Sequence, residues 1–335
     1  MAQSYKILFF NSMIFSSLMA ISSYSWFSMW LSLEINLLSI IPLFNSMKNY
    51  FPSEAALKYF ITQSMASTII LFSILNFINF NDIFLSNLSN QMIFNSAILT
   101  KMGAAPFHFW FPEIMEGLSW FNNLIIMTWQ KIAPFMIISY NMNISYFFTI
   151  IILCSTMMSS IMGFNQISLR KIMAFSSINH IGWMLSSLMI SNNLWMIYFL
   201  IYSFISISLI FMFYQMNSLF LYQFFNFNNS NNHINFFLLL IFLSLGGLPP
   251  FLGFLPKWLT INGLVTMNMM FLSFFLIIFT LIMLFIYIRL IFNTFLLNFK
   301  KSILKKTKMN TFFLTMMNIL NLMGLTLCPL IFNFY

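Results

Sequence analysis

The sequence predicts an all-α polytopic membrane protein, and three observations carry that prediction. Of 335 residues, 61% are hydrophobic and 6% charged, with mean hydropathy +0.90, which is too little polar surface to cover a soluble globule. The apolar runs are about 20 residues long and do not alternate, whereas barrel strands would be about 9–11 residues with alternating polarity. Two of the runs are also broken in the same way. A shift of 144 residues sets Gly103 on Gly247, Pro106 on Pro250, Phe107 on Phe251, Pro112 on Pro256 and Glu113 on Lys257, in a shared frame G-x-x-P-F-x-x-x-x-P-charge. Broken hydrophobic segments at corresponding positions of two halves mark an ion or substrate site in a membrane transporter.

Apolar runs read against their interruptions give about eleven transmembrane helices. The first two cover about 4–21 and 25–45, parted by a turn at Ser22 and Tyr24, and Glu34 lies near the middle of the second. Pro42 and the polar loop 45–53 lead to a third span, about 54–78, and then to an Asn-rich loop holding Asp82. The fourth, about 90–117, carries Lys101, breaks at Gly103 and Pro106, and contains His108 inside the break. Lys131 belongs to the fifth, about 120–140, and the sixth, about 144–163, ends before a loop with Arg170 and Lys171. Spans seven and eight cover about 172–190 and 194–216, with His180 in the seventh, and the Asn- and Phe-rich connection 217–233 ends in His233, read as a loop histidine. The ninth, about 234–264, is the broken echo with Pro249, Pro250 and Lys257. The tenth, about 268–297, contains Arg289, and a basic loop at 300–308 precedes the eleventh, about 310–333.

This count places Lys6, Lys48, Lys58, Arg170, Lys171 and the five lysines of 300–308 on one side of the membrane and leaves Asp82 to the other, the positive-inside pattern. The net charge of +9 is thus spent on orientation, and no nucleic-acid partner is implied. Spans one to five and six to ten each have a broken helix in fourth place. A repeat with an odd number of crossings starts on opposite sides in its two copies, so the repeats are expected to be inverted. The expected divisions are 1–142 and 143–299 for the two five-helix repeats, and 300–335 for a basic loop and C-terminal helix.

Phe, Ile, Met, Asn and Leu dominate, and Val265 is the only valine. That skew toward A/T-rich codons points to an animal mitochondrial genome. The first apolar run is not preceded by an Arg-rich presequence, so synthesis inside the organelle is the expectation. The matrix is then the basic side, with the N-terminus in the matrix and the C-terminus in the intermembrane space. Cys154 and Cys328 lie in apolar runs with no C-x-x-C, so they read as small buried hydrophobes and not as metal ligands. No G-x-G-x-x-G fingerprint or phosphate loop is present, so a dinucleotide must bind elsewhere.

Four ionisable residues fall at membrane depth: Glu34, Lys101, Lys131 and Lys257. Each costs about 2.5–3.5 kcal/mol to insert, roughly 10 kcal/mol in all, which calls for a use. A packing pair explains Glu34 with Lys101 but leaves Lys131 and Lys257 with no acid at their depth. Burial makes the charged form of a lysine expensive, and a nearby carboxylate restores it, so such lysines exchange protons where exposed ones do not. Pro106, Pro249 and Pro250 leave carbonyls free at membrane depth, where protein or water must satisfy them. A water-lined cavity beside Lys101 and Lys257 is expected. His108 either passes protons or donates to a freed carbonyl, and His180, beside Ser176, Ser177 and Asn179, is either a relay or a satisfied packing histidine.

The segments SLEINLLSIIPL, EAALKYFITQSMAS, KMGAAPFHFWFPEIMEGLSW, MTWQKIAPF, NQISLRKIMAFSSINHIGWML and LSLGGLPPFLGFLPKWL closely resemble the chain 2 family of insect mitochondrial NADH-ubiquinone oxidoreductase. The resemblance covers nearly the whole chain and is weakest at 217–233 and after Arg289. It implies an antiporter-like, proton-pumping membrane-arm subunit of respiratory complex I that binds no cofactor itself, with NADH, FMN, iron-sulfur clusters and ubiquinone in other subunits. It also implies Glu34 as acid partner, Lys101 before the first break, Lys131 as central lysine and Lys257 after the second, with chains 4L and 4, accessory subunits and membrane lipids as neighbours. The rival readings are a stand-alone cation/proton antiporter of the same fold, a cytochrome using His108 and His180 as axial ligands, and a structural spacer whose lysines are dispensable.

Overall fold

The computed structural model describes residues 4–44, 50–79, 84–142, 145–223, 232–296 and 311–323. Lys48, Asp82, the lysines of 300–308 and Cys328, which carry part of the orientation and cysteine readings, lie outside the described residues. Every named element among the described residues is an α-helix, and the one β feature there is an isolated bridge between Ser168 and Phe220. The chain divides into two compact units, Met1–Ile151 and Ile152–Tyr335.

The first unit contains α1 (Ser4–Ser22), α2 (Trp26–Phe44), α3 (Phe51–Asn79), α4 (Phe84–Met102), α5 (Trp110–Gly117), α6 (Trp120–Met127), α7 (Trp129–Ser139) and the start of α8 (Ser145–Gly163). The predicted turn between the first spans is built by Ser25, whose Oγ accepts the Ser28 N–H at 3.2 Å and so caps an orphan donor of α2. Trp30 Nε1 then donates to Ser67 O at 3.0 Å and docks α2 on α3. Helix α4 starts at Phe84, earlier than the Asn90 expected from polarity, because the Ser- and Asn-bearing segment still completes its turns.

The fifth predicted span is not continuous. It divides at Thr128 (φ −114°, ψ −73°) into α6 and α7. The Thr128 hydroxyl donates to Leu124 O at 2.7 Å, a local bond that competes with the helical ladder and bends it. This break starts a new helix two residues before Lys131 and puts the lysine in its first turn.

The second unit contains the rest of α8, then α9 (Leu169–Ile190), α10 (Asn192–Met216), α11 (Asn232–Gly246), α12 (Phe254–Thr266), α13 (Met270–Leu296) and α14 (Thr311–Leu322). His233 falls in the first turn of α11 and not in a loop, since the helix takes up Asn232 and His233 ahead of its apolar run. Cys154 is half-buried in α8, less enclosed than the sequence suggested. Helix α9 is the core: every residue from 172 to 188 is buried, the pattern of a helix enclosed on all sides. Its serines enter that core already bonded. Ser176, Ser177, Ser186 and Ser187 each donate to the carbonyl three residues back, at 2.7–2.8 Å.

Six helices, α1, α2, α3, α8, α10 and α13, are each long and apolar enough to cross a membrane. The broken spans are the pairs α4/α5, α6/α7 and α11/α12. Phe271, Phe274, Leu281 and Phe285 of α13 are more than half exposed, an apolar face suited to lipid.

Candidate functional site

Both echo positions end a helix in the same way. Gly103, at φ +76°, closes α4, and Gly247, at φ +78°, closes α11. The Gly103 N–H reaches Thr100 O at 3.1 Å and the Ala104 N–H reaches Leu99 O at 3.1 Å. The Gly247 N–H reaches Ser244 O at 3.0 Å and the Leu248 N–H reaches Leu243 O at 3.3 Å. These are two Schellman ends, which need a residue in the left-handed conformation, the one glycine enters at least cost.

At the first break, protein donors cover the freed carbonyls. Trp110 Nε1 donates to Thr100 O at 3.0 Å, Gln63 Nε2 approaches Lys101 O at 3.4 Å, and the His108 Nδ1 position that faces Pro106 O at 3.3 Å must carry a proton to bond it. Lys101 sits in the last turn of α4, where the helix dipole favours a cation. Glu34 of α2 lies within electrostatic reach of it, yet no direct ion pair joins the two among the described residues.

Lys131 is 1% exposed. Its Nζ lies 5.7 Å from the centre of the Phe111 ring, a cation–π contact. Phe111 in turn covers the bare face of Gly103, where a Cβ would come within 3.1 Å of Phe111 Cβ. One phenyl ring therefore separates the buried lysine from the first break. Beside Lys131, Gln130 and Asn36 bond reciprocally at 3.0 and 3.1 Å. That pair ties α7 to α2 one residue from Lys131 and two from Glu34.

The second break is covered by the lysine itself. Lys257, 7% exposed, donates from Nζ to Gly246 O at 2.8 Å. The same ammonium lies 5.7 Å from the centre of the Trp183 ring of α9. His180, one turn before Trp183, is 6% exposed, with Nδ1 2.9 Å from the Tyr198 hydroxyl and its ring 4.9 Å from that of Tyr202. Asn179 Oδ1 and Trp183 Nε1 are buried with no hydrogen-bond partner among the described residues, so the surroundings of Lys257 and His180 hold polar atoms with capacity to spare.

The first unit holds Glu34 on α2, Lys101 at the end of α4, His108 between α4 and α5 and Lys131 on α7, and the second holds His180 on α9 and Lys257 on α12. Sequence reasoning did not find Gln63, Trp110, Asn36, Gln130 or Tyr198. Each is a neutral polar side chain whose importance lies only in what it meets across 10 to 94 residues of chain.

Comparison with known proteins shows the family. Residues 23–283 match the family described as NADH:quinone oxidoreductase/Mrp antiporter, TM. The chain is 52% identical over 298 residues to NADH-ubiquinone oxidoreductase chain 2 of Anopheles gambiae, covering 88% of this chain and 87% of that one. It is 51% identical over 333 residues to chain 2 of Aedes aegypti, covering 97% of each. In fold it is similar to a chain of respiratory complex I from Thermus thermophilus with bound aureothin, at TM-score 0.84 and 20% identity, covering 96% of this chain and 78% of that one. With its two Schellman breaks and their buried lysines, the chain thus belongs to the NADH:quinone oxidoreductase/Mrp antiporter membrane family, among the NADH-ubiquinone oxidoreductase chain 2 proteins.

Proposed function

We propose that the chain is a membrane-arm subunit of mitochondrial complex I, translocating protons across the inner membrane while NADH oxidation and ubiquinone reduction take place in other subunits. The observation that carries this reading is the pair of enclosed lysines, Lys131 at 1% and Lys257 at 7% exposure, each set beside a broken helix in a chain half identical to insect chain 2 proteins. An enclosed ammonium costs several kcal/mol unless its proton can leave. Glu34, Lys101 and Lys131 exchange protons in the first unit and Lys257 does so in the second, with His108 and His180 as further carriers. Movement of Glu34 relative to Lys101 changes how firmly that lysine holds its proton, since a carboxylate about 4 Å away is worth about 4 kcal/mol at an effective dielectric near 20.

In this reading the repeats are inverted, the N-terminus lies in the matrix and the C-terminus in the intermembrane space, and the neighbours are chains 4L and 4 with accessory subunits. FMN and the iron-sulfur clusters belong to other subunits. The family description also names Mrp antiporters, which keeps a stand-alone cation/proton antiporter as the second reading. Co-migration of the chain with a megadalton NADH-oxidising complex on a native gel supports the first, and migration apart from it supports the second. The mechanistic test is Lys131→Arg, which keeps the charge and forbids deprotonation. Pumping is expected to fall about a hundredfold or more, the scale of a lost acid–base group. Normal NADH-driven acidification by the assembled variant would sink the proposal.

A further inference from the structure

We infer that Gly247 is a positioning residue for Lys257, beyond its service to the turn, and that its bare face is the seat on which the lysine stem lies. The inference rests on the proton-exchange reading of Lys257. Lys257 stands in the first turn of α12, where the positive end of the helix dipole repels an ammonium. The nearest compensating charge is the negative end of α11, and the ammonium is bonded there, to Gly246 O at 2.8 Å.

The stem reaches that carbonyl across Gly247. A Cβ on Gly247 would lie 2.7 Å from Lys257 Cδ, 3.0 Å from Nζ and 3.1 Å from Cε. These are the far atoms of a flexible side chain, so the lysine, and not the backbone, is what gives way. Gly103 provides the contrast. It has the same left-handed turn and the same pair of turn bonds, but its bare face meets the Cβ, Cγ and Cδ2 of Phe111 at 3.1–3.2 Å and no charge. The Schellman end alone accounts for a glycine at both sites. Room for a charged side chain is specific to Gly247. A side chain at 247 moves the ammonium off Gly246 O, which ties the place where Lys257 holds its proton to the geometry of the break.

The test uses Gly247→Ala and Gly247→Asn, placed at the matching glycine of the assembled complex from a genetically tractable relative. Asn tolerates the left-handed backbone far better than Ala, while both add the Cβ. Two quantities are read: the position of the lysine Nζ in a cryo-EM map, and the pH dependence of NADH-driven proton pumping per electron. The expected result is an Nζ outside hydrogen-bond reach of the residue-246 carbonyl in both variants, and a half-maximal pumping pH moved by about one unit, equivalent to about tenfold in proton affinity. An Nζ that stays in place overturns the inference, as does an unmoved pH profile with the Nζ displaced. Failure of both variants to assemble also overturns it, because the glycine would then serve the turn alone. Lys131→Arg in the same preparation reports separately on the proton reading. Loss of pumping there with an unmoved profile in the Gly247 variants defeats the positioning role and leaves the function standing.

Discussion

The two broken helices share a backbone and differ in what covers it. At frame position eleven the first break has Glu113 and the second has Lys257. Glu113 points outward, its side chain 58% exposed, and pairs with Lys58 of α3 at 3.1 Å. Lys257 points inward and takes the α11 carbonyl that Glu113 could never bond, since an ionised carboxylate only accepts. The space that Lys257 fills over Gly247 is filled by Phe111 over Gly103, and the first unit supplies its enclosed lysine from elsewhere, as Lys131 behind the Phe111 ring. The same turn thus supports a charge in direct contact with the break in one unit and a charge held off by an aromatic ring in the other. The restart helices follow suit, eight residues long in α5 and thirteen in α12.

This contrast can be broken at three points, in descending order of effect. Lys257→Met removes the charge from the second break. Proton pumping per electron in the assembled complex is expected to fall about a hundredfold or more, and pumping at the wild-type ratio would show that direct contact with the break has no functional weight. Trp110→Phe attacks the first break without touching a charge. It removes one of the two donors to Thr100 O and leaves the Gly103 N–H in place, a loss of about 0.5–1.5 kcal/mol, so the thermal midpoint of the complex should fall slightly while pumping per electron stays near the wild-type ratio. An unchanged midpoint would mean that the Gly103 N–H suffices for that carbonyl. Lys58→Ala unfastens the outward pairing of Glu113. Because the side chains of Lys58, Glu54 and Glu113 are 44%, 63% and 58% exposed, the expected loss of stability is the smallest of the three, close to the limit of measurement. High salt should shrink it further, and a loss indifferent to salt would contradict a solvent-screened pair.

Much of this was readable before any coordinates. The Gly103/Gly247 frame marks both helix ends, because glycine enters the left-handed turn at least cost, and the structure has both residues there. Lys131 and Lys257 stand out in an apolar chain simply by being charged. The break at Thr128 was not readable, since a threonine inside an apolar run is compatible with a continuous helix until its hydroxyl chooses Leu124 O. Nor were the donors that cover the first break, for nothing in the residue types of Gln63 and Trp110 tells which carbonyl each will meet. Beside Lys101, these side chains donate to two of the carbonyls at the end of α4.

By itself, the sequence determined the class, the broken segments and the charged residues placed in them, because hydropathy, glycine and proline act locally and a charge in an apolar run stands out by residue type alone. Only the tertiary structure decided which way each charge faces. Glu113 and Lys257 occupy one frame position, and their opposite fates depend on whether Lys58 of a neighbouring helix or the open end of α11 lies within reach. That is a matter of three-dimensional distance, which chain order does not encode.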